Sequence, residues 1–142
     1  MLCFLDTNVL IYVFDKDSPN KAAVARQLYS RLVREKSGLV SVQVLQEFFV
    51  TLSKKFTVTL SADDVEREVR DLSALLKVIE TDVALVLDSI TLSRRYKLSF
   101  WDGLIIQAAL RGGASVLYSE DLQDGQIIDS ITIANPFAGI QG

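Results

Sequence analysis

The sequence predicts a single α/β domain spanning residues 1–142, with three layers (α/β/α) in which helices cover both faces of a central, mainly parallel sheet. Short apolar, strand-like segments alternate with longer amphipathic helices, and this alternation favours parallel strands joined by helices. The chain has 142 residues, 49% of them hydrophobic and 23% charged, which suits one buried core. Ligands of such folds bind at the carboxyl ends of strands, so residues that follow a strand are the first candidates for a site.

The N-terminal part of the chain predicts a strand, a short helix and a long helix. Leu2 to Leu5 is apolar throughout and predicts a buried strand, after which the polar Asp6-Thr7-Asn8 favours a turn or a helix N-terminus. A brief helix follows over Val9 to Phe14. Ser18-Pro19 then combines an N-cap with a proline in the first turn, and the helix that it begins ends at Ser37-Gly38.

The middle of the chain predicts a second strand and two more helices. Leu39-Val40 is the strand, and Ser41 caps the helix after it. The apolar residues of that helix share one face: Val44, Leu45, Phe48, Phe49 and Leu52. Ser61 to Asp64 resembles a capping box, and the helix that it begins repeats apolar residues at helical spacing: Val65, Val69, Leu72 and Leu76. Val78-Ile79 follows as a short apolar segment.

Two further helices come next. Thr81 is the expected N-cap of the first of them, and its apolar residues share a face: Val83, Val86, Leu87 and Ile90. Ser99 caps the second, which runs from Phe100 to about Arg111 and ends at Gly112-Gly113.

The C-terminal part of the chain predicts two strands. Ser115 to Tyr118 is the first. The segment from Ile127 to Ile133 alternates apolar and polar residues and breaks at Asn135-Pro136, which predicts a last strand at the edge of the sheet.

The composition excludes several kinds of active site. The chain has no histidine, which removes serine-histidine-aspartate triads, histidine-ligated zinc and histidine acid/base nucleases. The single cysteine, Cys3, lies in an apolar segment and is interpreted as an ordinary buried thiol. The net charge of −3 argues against binding nucleic acid through the overall field of the protein, but a divalent cation can join acidic residues to phosphate.

The sequence predicts a cytoplasmic protein. Residues 1–6 have no basic leading region and reach a carboxylate at Asp6, unlike a secretory signal. The longest apolar stretches are far shorter than the roughly 18 residues that a membrane-spanning helix needs.

Two carboxylates are expected at the carboxyl edge of the sheet. Asp6 directly follows the first strand, and Asp121 lies three residues beyond Tyr118. If those two strands are neighbours, the carboxylates converge. Each has a structural alternative, because Asp6 can be a helix N-cap and Asp121 an ordinary turn residue.

Asp102 and Glu47 lie on helices. Asp102 falls in the same helical arc as apolar residues of its helix (Ile105, Ile106 and Ala109), which places a carboxylate on the core-facing side of the first turn. An unpaired buried carboxylate costs several kcal/mol, so a cation or a hydrogen-bond network is implied there. Glu47 lies outside the apolar arc of its own helix, and by itself it is interpreted as a solvated glutamate.

The basic pairs Lys54-Lys55 and Arg94-Arg95 are either solvated helix ends or a rim that contacts phosphates. Trp101 is either a wedge at the start of its helix or a platform on which a base stacks.

These residues stand in segments that resemble one family in its own order along the whole chain. The matching segments are Phe4 to Asn8, Gln43 to Glu47, Phe100 to Ile105, Leu117 to Leu122 and Ile133 to Phe137. On these segments the chain resembles the PIN-domain family, and in length and layout it is similar to the VapC-type toxins of prokaryotic toxin–antitoxin pairs.

The resemblance implies that Asp6, Glu47, Asp102 and Asp121 form the catalytic, metal-binding set of an endoribonuclease that hydrolyses RNA phosphodiester bonds. Three polar side chains are implied to orient the set: Thr7, Asn8 and Ser119. Asp124 is a candidate ligand for a second cation. Oxygen donors without histidine or cysteine suit Mg²⁺ or Mn²⁺.

The resemblance also implies the partners: an RNA substrate, a small antitoxin protein and a second copy of the chain in a homodimer. Apolar side chains that form either an antitoxin groove or part of the core are Leu28, Tyr29, Phe48 and Phe49. The alternatives that remain open are a PIN-type RNA-processing nuclease without an antitoxin, a receiver-like regulatory domain that binds Mg²⁺ without catalysis, and an aspartyl-phosphate phosphatase. The phosphatase is disfavoured, because the resemblance to such enzymes would require an Asp-x-Asp motif at this place, and here the third residue of the motif is Asn8.

Overall fold

Six strands form one sheet in the computed structural model, which describes all residues from Met1 to Gly142. The strands are β1 (Cys3–Leu5), β2 (Gly38–Ser41), β3 (Lys77–Ile79), β4 (Val116–Tyr118), β5 (Ile127–Ile128) and β6 (Ile131–Ala134). The helices are α1 (Thr7–Ile11), α2 (Pro19–Glu35), α3 (Val42–Lys55), α4 (Ala62–Leu75), α5 (Val83–Tyr96) and α6 (Phe100–Arg111), with a 3₁₀ turn over Tyr12–Phe14. The predicted α/β fold is confirmed.

The order of the strands decides which residues meet at the sheet edge. The order is β3-β2-β1-β4-β6-β5, and every neighbouring pair is parallel except the antiparallel pair β5 and β6. The first strand therefore lies between β2 and β4 at the centre of the sheet. The carboxyl ends of these three strands share one edge, which is where a parallel sheet binds its ligands.

The central strands are covered on both faces, since every residue of β1 and β2 is buried. Their side chains join one apolar core with residues from all six helices. Cys3 lies in this core as the free thiol that the sequence predicts. Of the apolar residues considered for an antitoxin groove, Leu28 and Phe48 are buried, Tyr29 is half-buried and Phe49 is exposed.

Helix α5 differs from its prediction in two ways. Its N-cap is Asp82, whose carboxylate accepts a hydrogen bond from the Leu85 N–H at 2.8 Å, so the expected cap Thr81 is wrong. Three of the four residues of its predicted apolar face are exposed to solvent: Val83, Leu87 and Ile90. The buried face instead carries Leu85 and Leu92 together with two small residues, Ser89 and Ser93, against which α6 packs very closely at Gly103.

The C-terminal segment forms a hairpin rather than the single edge strand that the alternation predicts. Asp129 adopts a left-handed conformation, with φ of 52°, and lets the chain turn between β5 and β6. Strand β6 then pairs with β4 inside the sheet, and of the two strands of the hairpin only β5 lies at an edge. The short turn divides one alternating run into two strands.

No helix in the structure combines the length and the apolar character that crossing a lipid bilayer requires.

Candidate active site

The first two site residues meet because β1 and β4 are paired. Leu5 is in register with Tyr118, and the N–H of Asp6 donates to the Tyr118 carbonyl at 3.0 Å. Asp6 and the loop from Ser119 to Asp121 therefore leave the sheet side by side. The strand-end placement expected from the sequence holds for both segments.

Asp6 is both a helix N-cap and the buried centre of a polar cluster. Its Oδ1 accepts a hydrogen bond from the Thr7 N–H at 2.7 Å, which caps α1. Its Oδ2 accepts from the Ser119 hydroxyl at 2.8 Å and from the Asn8 amide at 3.2 Å. The two alternatives for Asp6, cap and site residue, are therefore compatible.

Asn8 connects the two acidic segments. Besides Asp6, its Nδ2 lies within hydrogen-bond distance of the Ser119 hydroxyl, at 3.3 Å, and of Asp121 Oδ2, at 3.1 Å. Its Oδ1 accepts from the backbone N–H of Glu120 at 3.0 Å. One amide thus holds both carboxylates and the intervening loop in a fixed arrangement, which fits the orienting role that the resemblance implies.

Glu47 reaches this cluster from α3. Its Oε1 accepts from the Thr7 hydroxyl at 2.7 Å, and its Oε2 accepts from the Gln43 amide at 3.1 Å. A glutamate that periodicity assigns to solvent is therefore fixed by two hydrogen bonds. The partner that determines this, Thr7, is 40 residues away in sequence.

Asp102 lies in the first turn of α6, with its N–H bound to the Ser99 hydroxyl at 3.1 Å. The side chain is half-buried, and its carboxylate makes no hydrogen bond or ion pair with the rest of the protein. It is thus a charged oxygen donor without a protein partner. Next to it, Trp101 is 64% exposed and is not a wedge in the core.

Gln43 is a site residue that the sequence reasoning did not single out. The side chain is buried, and its amide nitrogen lies 3.1 Å from Glu47 Oε2 and 3.4 Å from the Trp101 carbonyl oxygen. It therefore joins α3 to the start of α6, next to Asp102. Its Oε1 is buried without a hydrogen-bond partner, which leaves an acceptor free for a bound water. Its position one helical turn before Glu47 was the available signal.

The negative charges of the cluster have no positively charged partner in the protein. The pKa of Asp6 is raised to about 6, mainly by burial and also by the charges of Glu47 and Asp121, against hydrogen bonds from Ser119 and Thr7 that lower it. None of the four acids forms a salt bridge. A bound cation would supply the missing positive charge.

A cleft of about 370 Å³ opens beside the cluster. Glu47 and Asp121 line it together with Thr7, Asn8 and Lys55, whereas Asp6 and Asp102 are not among its lining residues. No three acidic, cysteine or histidine side chains lie close enough together to form a ready-made metal site. The donor set, all oxygen, nonetheless fits a hard divalent ion that keeps several of its waters.

The remaining candidates lie around this centre or away from it. Lys55 lines the cleft, and its ammonium lies 3.6 Å from Asp15. Lys54 is exposed at the end of α3, and Arg94 and Arg95 lie in the last turn of α5, outside the cleft. Asp124 accepts from the Asn135 N–H at 2.8 Å and so fixes the segment after β6.

Comparison with known proteins defines the class. A family profile described as PIN domain matches residues 3–123, and the chain therefore belongs to the PIN-domain family. This membership is what the sequence motifs predict. A search of curated proteins found no match.

Several solved structures share the fold. The chain is similar to a toxin–antitoxin complex from Klebsiella pneumoniae, with 20% identity, a TM-score of 0.69 and coverage of 94% of this chain and 97% of the other. It is also similar to VapBC2 from Rickettsia felis bound to a DNA fragment from its promoter, with 18% identity, a TM-score of 0.67 and coverage of 95% and 98%. A third is VapC20 of Mycobacterium tuberculosis, a toxin that cleaves the sarcin-ricin loop, with 16% identity, a TM-score of 0.66 and coverage of 84% and 89%. At these identities the likeness shows a common fold.

Proposed function

We propose that the protein is a Mg²⁺- or Mn²⁺-dependent endoribonuclease and the toxin of a type II toxin–antitoxin pair. The observation that carries the proposal is the convergence of Asp6, Glu47 and Asp121 at one sheet edge, where none of them forms a salt bridge. Gln43 joins this cluster to the start of α6, which carries Asp102. The similar fold of a toxin that cleaves the sarcin-ricin loop supports RNA as the substrate.

The residues divide into metal-holding and orienting groups. The four carboxylates would hold one or two hydrated ions. Such an ion lowers the pKa of a bound water, neutralises phosphate oxygens and stabilises the leaving oxygen. Asn8 and Ser119 fix the carboxylates of Asp6 and Asp121, and Thr7 fixes Glu47. Lys55 places a positive charge at the cleft where a substrate phosphate can bind.

Asp102→Asn is expected to reduce RNA cleavage at least about a hundredfold, because one anionic metal ligand is lost. The assay follows the decay of structured and unstructured RNAs in Mg²⁺, in Mn²⁺ and in EDTA. Asp88→Asn, the same change at an exposed residue of α5 with no hydrogen bonds, is the matched control and should cleave normally.

Undiminished cleavage by purified Asp102→Asn would remove Asp102 from the site. Mg²⁺ binding without cleavage of any RNA would favour the regulatory domain over the nuclease. Covalent trapping of a phosphate analogue at Asp6 would favour the phosphatase.

The proposed partners are an antitoxin and a second copy of the chain. Similar folds occur in toxin–antitoxin complexes, and the exposed apolar residues Val83 and Leu87 of α5 offer area for a homodimer. Light scattering should give a dimer for the isolated chain, and a heavier complex without RNase activity when the protein encoded next to it is co-expressed. An active enzyme that stays monomeric in both preparations would instead favour an RNA-processing nuclease.

A further inference from the structure

A second concave surface lies on the side of α2. It is an open groove of about 620 Å³ between that helix, the end of β4 and the segment after β6. Three arginines line it, Arg26, Arg31 and Arg34, together with Tyr118 and Pro136. We call the surface that these five residues line the arginine groove. It is distinct from the acidic cleft and shares no lining residue with it.

The sheet explains why the groove exists. In β4, Leu117 is fully buried, whereas Val116 and Tyr118 on the opposite face are only half-buried. The neighbouring β6 repeats this pattern, with Ile133 buried and Thr132 exposed in register with Val116. This face of β4 and β6 is therefore only partly covered, and α2 forms the wall of the remaining space.

The charge of α2 is opposite to that of the protein. The helix carries four basic residues and a single acidic one, Glu35, although the whole chain has a net charge of −3. Glu35 pairs with Arg31 at 3.5 Å, and Arg31 also lies 3.5 Å from the Tyr118 hydroxyl. Arg26 and Arg34 are exposed and have no acidic partner. They are about 12 Å apart along the helix axis, so two free guanidinium groups face the solvent along one wall.

The groove is connected to the acidic cleft through the chain. Tyr118 directly precedes Ser119, whose hydroxyl binds Asp6. Lys21, in the first turns of α2, pairs with Glu120 at 2.8 Å, and Glu120 lines the cleft. These contacts place the groove next to the cleft, at the end of β4 and the start of α2.

The geometry points to the arginine groove as a binding surface for the phosphodiester backbone of single-stranded RNA that extends from the cleft. This inference rests on the proposed function, because it assigns a surface to the same substrate. Arginine binds phosphate oxygens in a bidentate manner without regard to base sequence. A second copy of the chain is a poor occupant, since a symmetric pairing across this groove brings like charges together.

The test measures binding without cleavage. A fluorescent 20-nucleotide oligouridine is titrated with Asp102→Asn protein in Mg²⁺, at several salt concentrations. The same titration is made with a protein that carries Arg26→Gln and Arg34→Gln in addition to Asp102→Asn. The matched control adds Arg67→Gln and Arg70→Gln, which make the same charge change on α4, where both arginines pair only with residues of their own helix.

The groove variant is expected to bind about tenfold more weakly than the control. The slope of the logarithm of the RNA-binding constant against the logarithm of the salt concentration should be shallower by about 1.4. This is the change expected when two phosphate contacts to a single strand are lost. Circular dichroism melting checks that both variants fold.

Equal RNA binding by the groove and control variants would overturn the inference. Retained RNA binding with lost capture of a co-expressed antitoxin would also overturn it, in favour of an acidic polypeptide as the occupant. Neither result bears on whether the wild-type protein cleaves RNA, so the groove and the nuclease activity fail separately.

Discussion

Replacing Asp6 with asparagine is expected to abolish RNA cleavage and, in the metal-free protein, to increase stability. Cleavage should fall at least about a thousandfold, or about 4 kcal/mol, because the most central anionic oxygen of the cluster is lost. Stability should rise because the charge of Asp6 is buried beside two other carboxylates. A residue that is costly to the fold and required for chemistry is typical of an active site.

The pH dependence separates these effects. The carboxyl of Asp6 has its ordinary pKa of 3.8 when unfolded and a raised pKa of about 6 in the fold. Between these values the folded state binds more protons, so the free energy of unfolding falls as the pH rises from 3.8 to about 6 and levels off above that. At pH 7.5 the ionised group costs roughly 3 kcal/mol at most. The asparagine variant should recover only about 1 kcal/mol of this. Both oxygens of Asp6 accept hydrogen bonds, from Thr7 at one and from Asn8 and Ser119 at the other, whereas the amide nitrogen of asparagine cannot accept any.

Denaturant unfolding in EDTA at pH 5 and pH 7.5 measures this difference. The wild-type protein should be less stable at pH 7.5 relative to the variant, and Mg²⁺ should stabilise the wild type much more than the variant. The exposed Asp88→Asn serves as the control. A variant that is less stable than the wild type at pH 7.5 would show that the hydrogen bonds of Asp6 outweigh its buried charge.

How far the sequence determines the site depends on where each residue lies. The positions of Asp6 and Asp121 could be predicted, because an apolar run followed by polar residues marks the end of a strand. The two carboxylates converge only because β1 and β4 are neighbours in the sheet, and no local sequence pattern predicts that pairing. The interactions of Glu47 could not be derived, because a hydrogen bond from Thr7 across the fold overrides its position on the helix.

The fold shows the same division between local and tertiary causes. Helices with strong caps and apolar faces, such as α3 and α4, were predictable from the chain. The buried face of α5 was not, because two serines lie on it beside Leu85 and Leu92, where α6 approaches too closely for larger side chains. In the last segment, one left-handed residue, Asp129, makes a hairpin from what periodicity shows as a single strand.

Gly103→Val is expected to destabilise the protein by about 3 kcal/mol or more. A Cβ atom at residue 103 would lie 2.9 Å from the Cβ of Ser93 and 3.0 Å from the backbone oxygen of Ser89. A Cβ atom essentially never lies within 3.0 Å of another heavy atom, as it would of Ser93 here, and a contact of 3.0 Å is already tighter than nine in ten. The Ser89 oxygen belongs to the backbone and cannot rotate away as a flexible side chain does. Helices α5 and α6 would have to separate, with the cost of overpacking a core. Ala74→Val, at an exposed position of α4, is the control for placing a β-branched residue in a helix.

A smaller change at the same position tests whether this contact also positions the active site. Gly103→Ala gains up to about 1 kcal/mol of helix propensity but meets the same two atoms, so we expect a net loss of stability. Because Gly103 follows Asp102 directly, moving α6 away from α5 also moves the Asp102 carboxylate, and cleavage should fall together with stability. Ser93→Gly removes one of the two contacts and should restore part of both losses, a coupling that a double-mutant cycle measures. A Gly103→Ala protein that is less stable but cleaves RNA at the wild-type rate would show the opposite. The start of α6 would then be held independently, through the hydrogen bond between Gln43 and the Trp101 carbonyl.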